Sequence, residues 1–397
     1  MIIKDEEDML PSFIETVNGL WDEWCVYDTG SQDNSIELLH KAGAKVEYGR
    51  WEGDFAQARN ESLAMATGDW ILFLDADERP TKELCHEIKQ LIERPDAGAA
   101  TVIIQNQLPH GHIQETPLLR LFRNNDSIRF HHRIHEDVFE AVTSYLKGTG
   151  LKLVNLHGKV KHLGYVREHV DAHNKKERDL KLLRKCIEDN PQDYYSWYKL
   201  LELARFWNDQ KLWQDTAKEF LPHLNKAKTV QLTGRYAGDL LVLIARGLYA
   251  DDPANALEFS DQWMGSVESS PALHLYRGEL YEQLGEYDSA RDEFVACLNY
   301  QDVIDPQQIT VRPLLGLARL AISVGEFDAA LDFTDRALDY NATDPEGLLS
   351  RVSLSMLKGG QEALDEFVRQ HKKTHGETVE LENALGEYEL INSKRNK

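Results

Sequence analysis

Hydrophobic patterning changes character once along the chain. Up to residue 165, short apolar runs alternate with stretches of helical periodicity, the succession expected of an α/β layer. Trp24-Cys25-Val26-Tyr27 reads as a buried strand running into Asp28-Thr29-Gly30-Ser31, and residues 35–42 then carry helical spacing. Residues 44–48 read as the next strand and 54–66 as a helix through Ala56, Leu63 and Ala64. Residues 70–74 form a wholly apolar strand that stops at Asp75-Ala76-Asp77-Glu78. A helix over 81–92, strands over 99–104 and 118–122, a basic histidine-rich stretch at 129–135 and a strand over 154–163 complete this part. Polar residues directly after apolar strands lie at the carboxyl edge of an open sheet, where such sheets bind ligands.

Beyond this point the period changes. Residues 167–188 form a charged amphipathic helix ended by Asn190-Pro191, after which strand signals almost vanish. The pattern predicts an α/β domain over 1–165, a connecting helix over 166–191 and helical repeats over 192–397. Gly278, Tyr281, Gly285, Tyr287, Ala290 and Phe294 have the offsets of the small and aromatic positions of a tetratricopeptide unit, and Gly325, Phe327, Ala330 and Ala337 repeat the scheme. The two copies are spaced wider than the consensus period of about 34, so a longer connection is expected around 301–308. Residues 194–220, 236–263 and 345–371 read as further, more degenerate helical pairs. An ordinary helical bundle is the plainer alternative.

Charge narrows the ligands. The 397 residues carry 45 Lys and Arg against 67 Asp and Glu, a formal charge of −22. No general basic surface exists for nucleic acid or an anionic leaflet, so a phosphorylated ligand must be held locally, by a divalent cation on carboxylates or a small basic cluster. The four cysteines, Cys25, Cys85, Cys186 and Cys297, form no C-x-x-C pair and indicate neither a zinc knuckle nor a disulfide framework. A reducing cytosol fits them, and no apolar stretch approaches a spanning helix, so a soluble cytoplasmic protein is expected.

The strongest local signal is Asp75-Ala76-Asp77-Glu78. Two strand-end carboxylates two residues apart can hold a hard divalent cation, which in turn bridges the phosphates of a nucleotide diphosphate. Read alone, the same acids also suit solvation beside a helix capped by Thr81. They are accompanied, in order, by Met1-Ile2-Ile3-Lys4-Asp5-Glu6-Glu7, Asp28-Thr29-Gly30-Ser31, Asp54-Phe55 with Ala58-Arg59-Asn60, and Gly68-Asp69-Trp70. Leu119-Arg120-Leu121-Phe122-Arg123-Asn124, Arg133-Ile134-His135-Glu136 and His162-Leu163-Gly164-Tyr165 continue the series. This set resembles the family-two glycosyltransferases of the GT-A fold, and more narrowly the bacterial subgroup with tetratricopeptide (TPR) repeats behind the transferase.

The resemblance implies a GT-A domain followed by an all-α TPR-like domain, and a nucleotide-sugar donor, a uridine diphosphate sugar first. It implies that Asp28 and the region of Lys4 and Glu6 contact base and ribose, that Arg59 and Asn60 touch the donor, that Asp75 lies near ribose and sugar, and that Asp77 ligates Mn2+ or Mg2+. His162 stands where several GT-A enzymes supply a histidine ligand to that metal. Glu136 matches the family's His-Glu pair and is the candidate base of an inverting transfer, with Asp137 able to share or take that role. The acceptor, a protein, peptide or saccharide, is expected at the helical repeats. Three positions depart from the family pattern: the first strand is only Met1-Ile2-Ile3, the common Asn is Asp5, and Leu163 replaces a common aromatic. The first two favour a competing reading, an interaction scaffold whose transferase domain has lost turnover. A nucleotidyltransferase ranks last, because the segment after the first strand is acidic where a Gly-rich basic loop is wanted.

Overall fold

Eight strands near the amino terminus fall into two sheets that no backbone ladder joins among the described residues. The computed structural model describes residues 1–107, 113–226, 236–267, 270–301 and 305–395. By contact the chain divides into Met1–Asn190 and Pro191–Lys397, so the helix expected as a connector falls within the first unit.

The first sheet is parallel, in the order β1 (Ile2–Ile3), β2 (Cys25–Asp28), β3 (Lys45–Tyr48). Ile3 faces Asp28, and Asp28 faces Tyr48 across the next ladder. The second sheet has the order β4 (Trp70–Leu72), β7 (Ile113–Arg123), β6 (Ala97–Gln107), β8 (Lys152–His162), β5 (Glu78–Pro80), with β6 and β8 parallel and the other pairs antiparallel. Side chains hold the two sheets together. Ile3 and Val26 of the first share one buried cluster with Val102 and Leu121 of the second, with Leu74 just past β4 and with Phe13 of helix α1 (Leu10–Val17).

Helices α2 (Ser35–Lys41), α3 (Phe55–Ala64), α4 (Lys82–Leu91), α5 (Phe139–Thr149) and α6 (Gly164–Asp189) complete the unit. Asp54 caps α3 by accepting the Gln57 N–H at 2.8 Å, and Thr81 caps α4 through the Leu84 N–H at 3.3 Å. With Thr81 in that role, neither Asp75 nor Asp77 is the side-chain cap of α4. Gly158 of β8 is where α4 lies closest to the sheet: a Cβ there would come within 2.4 Å of the Leu84 Cα.

The pattern at 70–74 yields a ladder of only three residues. Past Leu72 one further bond, Phe73 N–H to the Arg120 carbonyl at 3.1 Å, is made before the chain turns. Helices α1 and α5 and strand β5 are elements the pattern did not predict. β5 reads Glu78-Arg79-Pro80, with two charges in three residues, yet all three are buried because both charges are satisfied internally.

The second unit is helical throughout its described residues: α7 (Tyr194–Phe206), α8 (Gln210–Lys226), α9 (Ala237–Leu248), α10 (Pro253–Trp263), α11 (Pro271–Leu284), α12 (Tyr287–Cys297), α13 (Val311–Ser323), α14 (Phe327–Tyr340), α15 (Pro345–His375) and α16 (Val379–Arg395). Gly278 of α11 and Gly316 of α13 enclose the buried Phe294 ring, and a Cβ at either would lie 2.5 Å or 2.7 Å from it. This is the small-against-aromatic packing that the repeat spacing predicts. Tyr281 packs against the same cluster, whereas Tyr287 stays exposed. A 3-10 turn, Pro306–Ile309, occupies part of the longer connection, and residues 302–304 lie outside the described residues. Gly360 interrupts α15 with a φ of 64°.

Candidate active site

Chain reversal after β4 brings the acids and the histidine together. The Glu78 N–H returns to the Asp75 carbonyl at 3.0 Å, closing the turn Asp75-Ala76-Asp77-Glu78. β5 then pairs with the end of β8 so that Glu78 faces His162, and the Leu163 N–H reaches the Asp77 carbonyl at 2.9 Å. The same register leaves Asp77 Oδ2 3.2 Å from His162 Nε2. On the neighbouring strand β6, Asn106 faces His162 and its amide oxygen lies 2.8 Å from Nδ1. An amide oxygen only accepts, so Nδ1 carries a proton and Nε2 is the nitrogen turned to Asp77. The hydrogen bond to Asp77 lifts the His162 pKa above the ordinary imidazole value, against its burial.

A second constellation adjoins the same turn. Arg59, on α3, is buried, with its Nε donating to Glu136 Oε1 at 2.5 Å and its NH2 nitrogen to Asp75 Oδ1 and Oδ2 at 3.0 and 3.2 Å. The guanidinium lies 5.7 Å from the Phe73 ring centroid and 5.8 Å from that of Phe130, rings that meet edge to face. Burial works against its charge, but Asp75 and Glu136 outweigh it and hold the guanidinium pKa above its ordinary value. Burial likewise opposes the Asp75 carboxylate, and Arg59 followed by Arg120 outweighs it to keep that pKa below the usual range.

Glu136 is presented by a strained loop. His132 and His135 take φ values of 69° and 54°, a left-handed conformation that costs a non-glycine residue on the order of 1 kcal/mol or more each. Paired backbone bonds between His131 and Asp137, at 2.9 and 3.0 Å, close this loop, and the Phe55 N–H donates to the Arg133 carbonyl at 2.7 Å. Backbone strain of this kind persists where surrounding contacts over-determine it, commonly beside functional groups.

Other residues singled out from the sequence hold structural bonds. Asp28 is buried, and its carboxylate accepts from the Gly30 and Ser31 N–H groups at 3.0 and 3.1 Å and from the Ser31 hydroxyl at 2.5 Å. Asn60 clasps the Phe130 backbone, donating to its carbonyl at 2.9 Å and accepting its N–H at 2.8 Å. Asp137 accepts the Phe139 N–H at 3.0 Å, at the start of α5. Lys4 is exposed and Glu6 half-buried on the loop after β1. That loop is stitched to residues 31–35: the Glu6 N–H donates to Ser35 Oγ at 2.7 Å, and Asp5, at a φ of 54°, accepts the Gln32 N–H at 2.6 Å.

Three participants take no role from the sequence: Glu78 and Arg120 stand within motifs of the series, and Asn106 carries no signal at all. Glu78 and Arg120 pair at 2.7 Å, 42 residues apart, and Asn106 meets His162 56 residues away. Only the acidic tetrapeptide itself could have pointed to Glu78. A cavity of about 450 Å3 opens between β2 and β4, lined by Trp21, Trp24, Leu63, Trp70, Ile88 and Arg59 among others. Of the candidate catalytic, donor-binding and metal-ligating residues, Arg59 alone lines it, so the converging acids and this hollow are neighbours and not one site.

Comparison with known proteins bears on the family of the chain. Residues 1–141 match the family model described as Glycosyl transferase family 2. A TPR repeat-containing protein of Synechococcus elongatus is 33% identical over 315 residues, which cover 75% of this chain and 74% of that protein. The SPbeta prophage-derived glycosyltransferase SunS of Bacillus subtilis is 25% identical over 197 residues, 49% of this chain and 45% of SunS. Among solved structures, the type IV pilus biogenesis factor PilW covers 55% of this chain at 14% identity and a TM-score of 0.41, a likeness too slight to carry weight. No described helix is long and apolar enough to cross a membrane. With a family-two α/β unit ahead of tetratricopeptide-like hairpins, as the sequence pattern and the Synechococcus relative both indicate, the chain belongs to the family-two glycosyltransferases that carry TPR-like repeats.

Proposed function

We propose that the chain transfers a hexose from a nucleotide-diphosphate sugar, a UDP-sugar in the first instance, to an acceptor hydroxyl with inversion at the anomeric carbon. The observation that carries this reading is the double grip of Arg59 on Asp75 and Glu136, directly beside the Asp77 and His162 pair. Glu136 has one oxygen fixed by Arg59, and its other oxygen has no protein donor among the described residues. It is the group assigned to take the acceptor proton. The acceptor oxygen then bonds the anomeric carbon as the carbon–oxygen bond to the diphosphate breaks, and the nucleoside diphosphate leaves with the electron pair. An inverting displacement needs no covalent nucleophile. Asp137, held at the start of α5, is the second candidate for the base.

Family-two enzymes commonly use a divalent cation, and the donor set here suits Mn2+ or Mg2+. Asp77 Oδ2 and His162 Nε2 are 3.2 Å apart, with the proton of a neutral imidazole directed to Asn106, so that a carboxylate oxygen and a nitrogen lone pair face each other. Two such acceptors are reconciled by a proton or by a cation. No third His, Cys, Asp or Glu joins them among the described residues, so Asp77 and His162 would be the protein groups that hold the cation. The cation, when bound, neutralises charge on the departing diphosphate. Lys4, Glu6 and the Asp28 turn are assigned to base and ribose. Arg59 and Asn60 are assigned to shaping the donor pocket from behind. The helical repeats are assigned to a protein, peptide or saccharide acceptor.

The test is nucleoside diphosphate release from a panel of nucleotide sugars, with Mn2+, with Mg2+ and with chelator. Release that requires cation, disappears in Asp77→Ala and falls steeply in Glu136→Gln supports the reading. Release that survives chelator and Asp77→Ala removes the metal from it.

A further inference from the structure

The turn that carries Asp75 and Asp77 is clasped from within the protein. Glu78 is 2% exposed. One of its carboxylate oxygens accepts the Asp75 backbone N–H at 3.0 Å, while its own N–H donates to the Asp75 carbonyl, also at 3.0 Å. The other oxygen accepts from the Arg120 NH2 nitrogen at 2.7 Å. Arg120 comes from the middle of β7, where its carbonyl holds the Phe73 N–H, and its guanidinium lies 4.8 Å over the Phe73 ring. Its Nε is buried without a partner.

An ion pair removed from water is a poor source of stability, since desolvation offsets most of the attraction. Its value here is geometric. A carboxylate has an acceptor oxygen at each end and here takes one donor on each, whereas the amide of the same size has an acceptor at one end only. We propose that Glu78, held by Arg120, is a positioning residue that sets the spacing of Asp75 and Asp77 and thereby the affinity for the cation and diphosphate of the donor. The inference rests on the donor site proposed above. Neither Glu78 nor Arg120 touches the reacting atoms in this assignment. Both act through the turn, as outer-shell partners do when they fix a metal ligand.

Glu78→Gln isolates the effect, because the amide keeps size and shape but must point an N–H at either the Asp75 N–H or Arg120. Arg120→Met removes the other half at similar bulk. Calorimetric titration with Mn2+ and whichever of UDP, GDP and dTDP the wild type binds best is read beside donor KM, kcat and the unfolding midpoint. Each single variant is expected to weaken binding about 10- to 100-fold, with donor KM rising and kcat changing by less than about threefold. The double variant is expected to bind no worse than the weaker single, the signature of residues acting as one unit. Leu91→Ala, a core truncation at the far end of α4, is the stability control. Glu78→Gln binding within about twofold of wild type overturns the proposal, as does an equal loss in Leu91→Ala. Wild-type protein that binds none of the three diphosphates with Mn2+ overturns the donor site instead.

Discussion

Arg59 and Glu136 stand 77 residues apart in the chain, yet Arg59 Nε lies 2.5 Å from Glu136 Oε1 while the same guanidinium holds Asp75. One buried cation therefore fixes both the strand-end acid and the candidate base. Only a guanidinium has the planar fork for two such partners; an ammonium is a point charge on a flexible stem. Arg59→Lys is expected to lower sugar transfer by about 100-fold or more even where the protein folds. Arg59→Ala should in addition cost about 3–5 kcal/mol, since it leaves two carboxylates beside an aromatic box without their counter-charge. Steady-state turnover and chemical denaturation check the two halves separately.

Asn106 supplies the oxygen that orients His162. Replacing it by alanine leaves the Asp77 and His162 pair in place but removes the bond at Nδ1, and if that pair holds the cation as proposed, Mn2+ affinity is expected to fall about 10- to 100-fold. Direct metal titration of Asn106→Ala decides this; unchanged affinity would show that the histidine is held by other contacts.

The Asn60 amide is committed to the Phe130 backbone at both ends. Asn60→Ala should unfold more easily by about 1–3 kcal/mol, the cost of a buried N–H and C=O left unpaired, with donor KM shifted only through the lost order of Phe130. A KM effect in a variant of wild-type stability would place the Asn60 side chain against the donor itself.

In the second unit, Gly278→Ala and Gly316→Ala each drive a methyl into the Phe294 ring. Overpacking of this kind costs about 1–3 kcal/mol. Gly285→Ala meets open space, and its cost of about 1 kcal/mol comes from the φ of 76° alone. Thermal unfolding of the three variants should rank them in that order, and the double variant Gly278→Ala/Phe294→Leu should recover part of the loss.

Asp239 gives a pH signature. Burial pushes its carboxyl up to about 6, against the hydrogen bond from Gln308 at 2.6 Å, with Glu202 adding to the rise. Below about pH 4 the folded and unfolded chains both hold this proton. Between about 4 and 6 the folded state holds more of it, so stability falls as pH rises and the loss is complete above 6. Asp239→Asn keeps the oxygen that accepts from Gln308 and removes the charge. It should leave the unfolding midpoint unchanged near pH 4 and stabilise by about 1–3 kcal/mol at pH 7. A stabilisation equal at both pH values would mean that the carboxyl titrates normally.

Legibility in the sequence followed the range of the interactions. Strands with continuous apolar runs, such as the one ending at Asp28, and helices opened by Asp54 or Thr81 could be read locally because backbone periodicity and capping are local. The Phe294 packing was readable because the repeat copies its small and aromatic positions at fixed offsets. β5 was not, since burial of Glu78-Arg79-Pro80 depends on Arg120 and on Arg79 bonds to Met9 and Ser12 some 70 residues away. Helix α5 was missed because Val142, Thr143 and Tyr145 have weak helix propensity, and packing against the Phe122 and Ile128 cluster overrides it. Asp75, Asp77, Arg59, Glu136 and His162 were picked out by their place in a series of motifs. Which of them touch each other was fixed by the β5–β8 register and the strained loop at His132 and His135, neither of which leaves a local trace.

The division of the first unit into two unlinked sheets separates two kinds of selection. Lys4 and Glu6 follow β1 and Asp28 ends β2, while Asp75 and Asp77 lie in the turn from β4 to β5 and His162 ends β8, all against the second sheet. Hydrogen-bond ladders transmit a change of register rigidly along a sheet; a packed apolar seam absorbs it by rotamer adjustment. Under the assignment proposed above, a change around Lys4, Glu6 and Asp28 would retune the choice of nucleobase while the acid pair, its histidine and the Arg59 bridge stay in alignment.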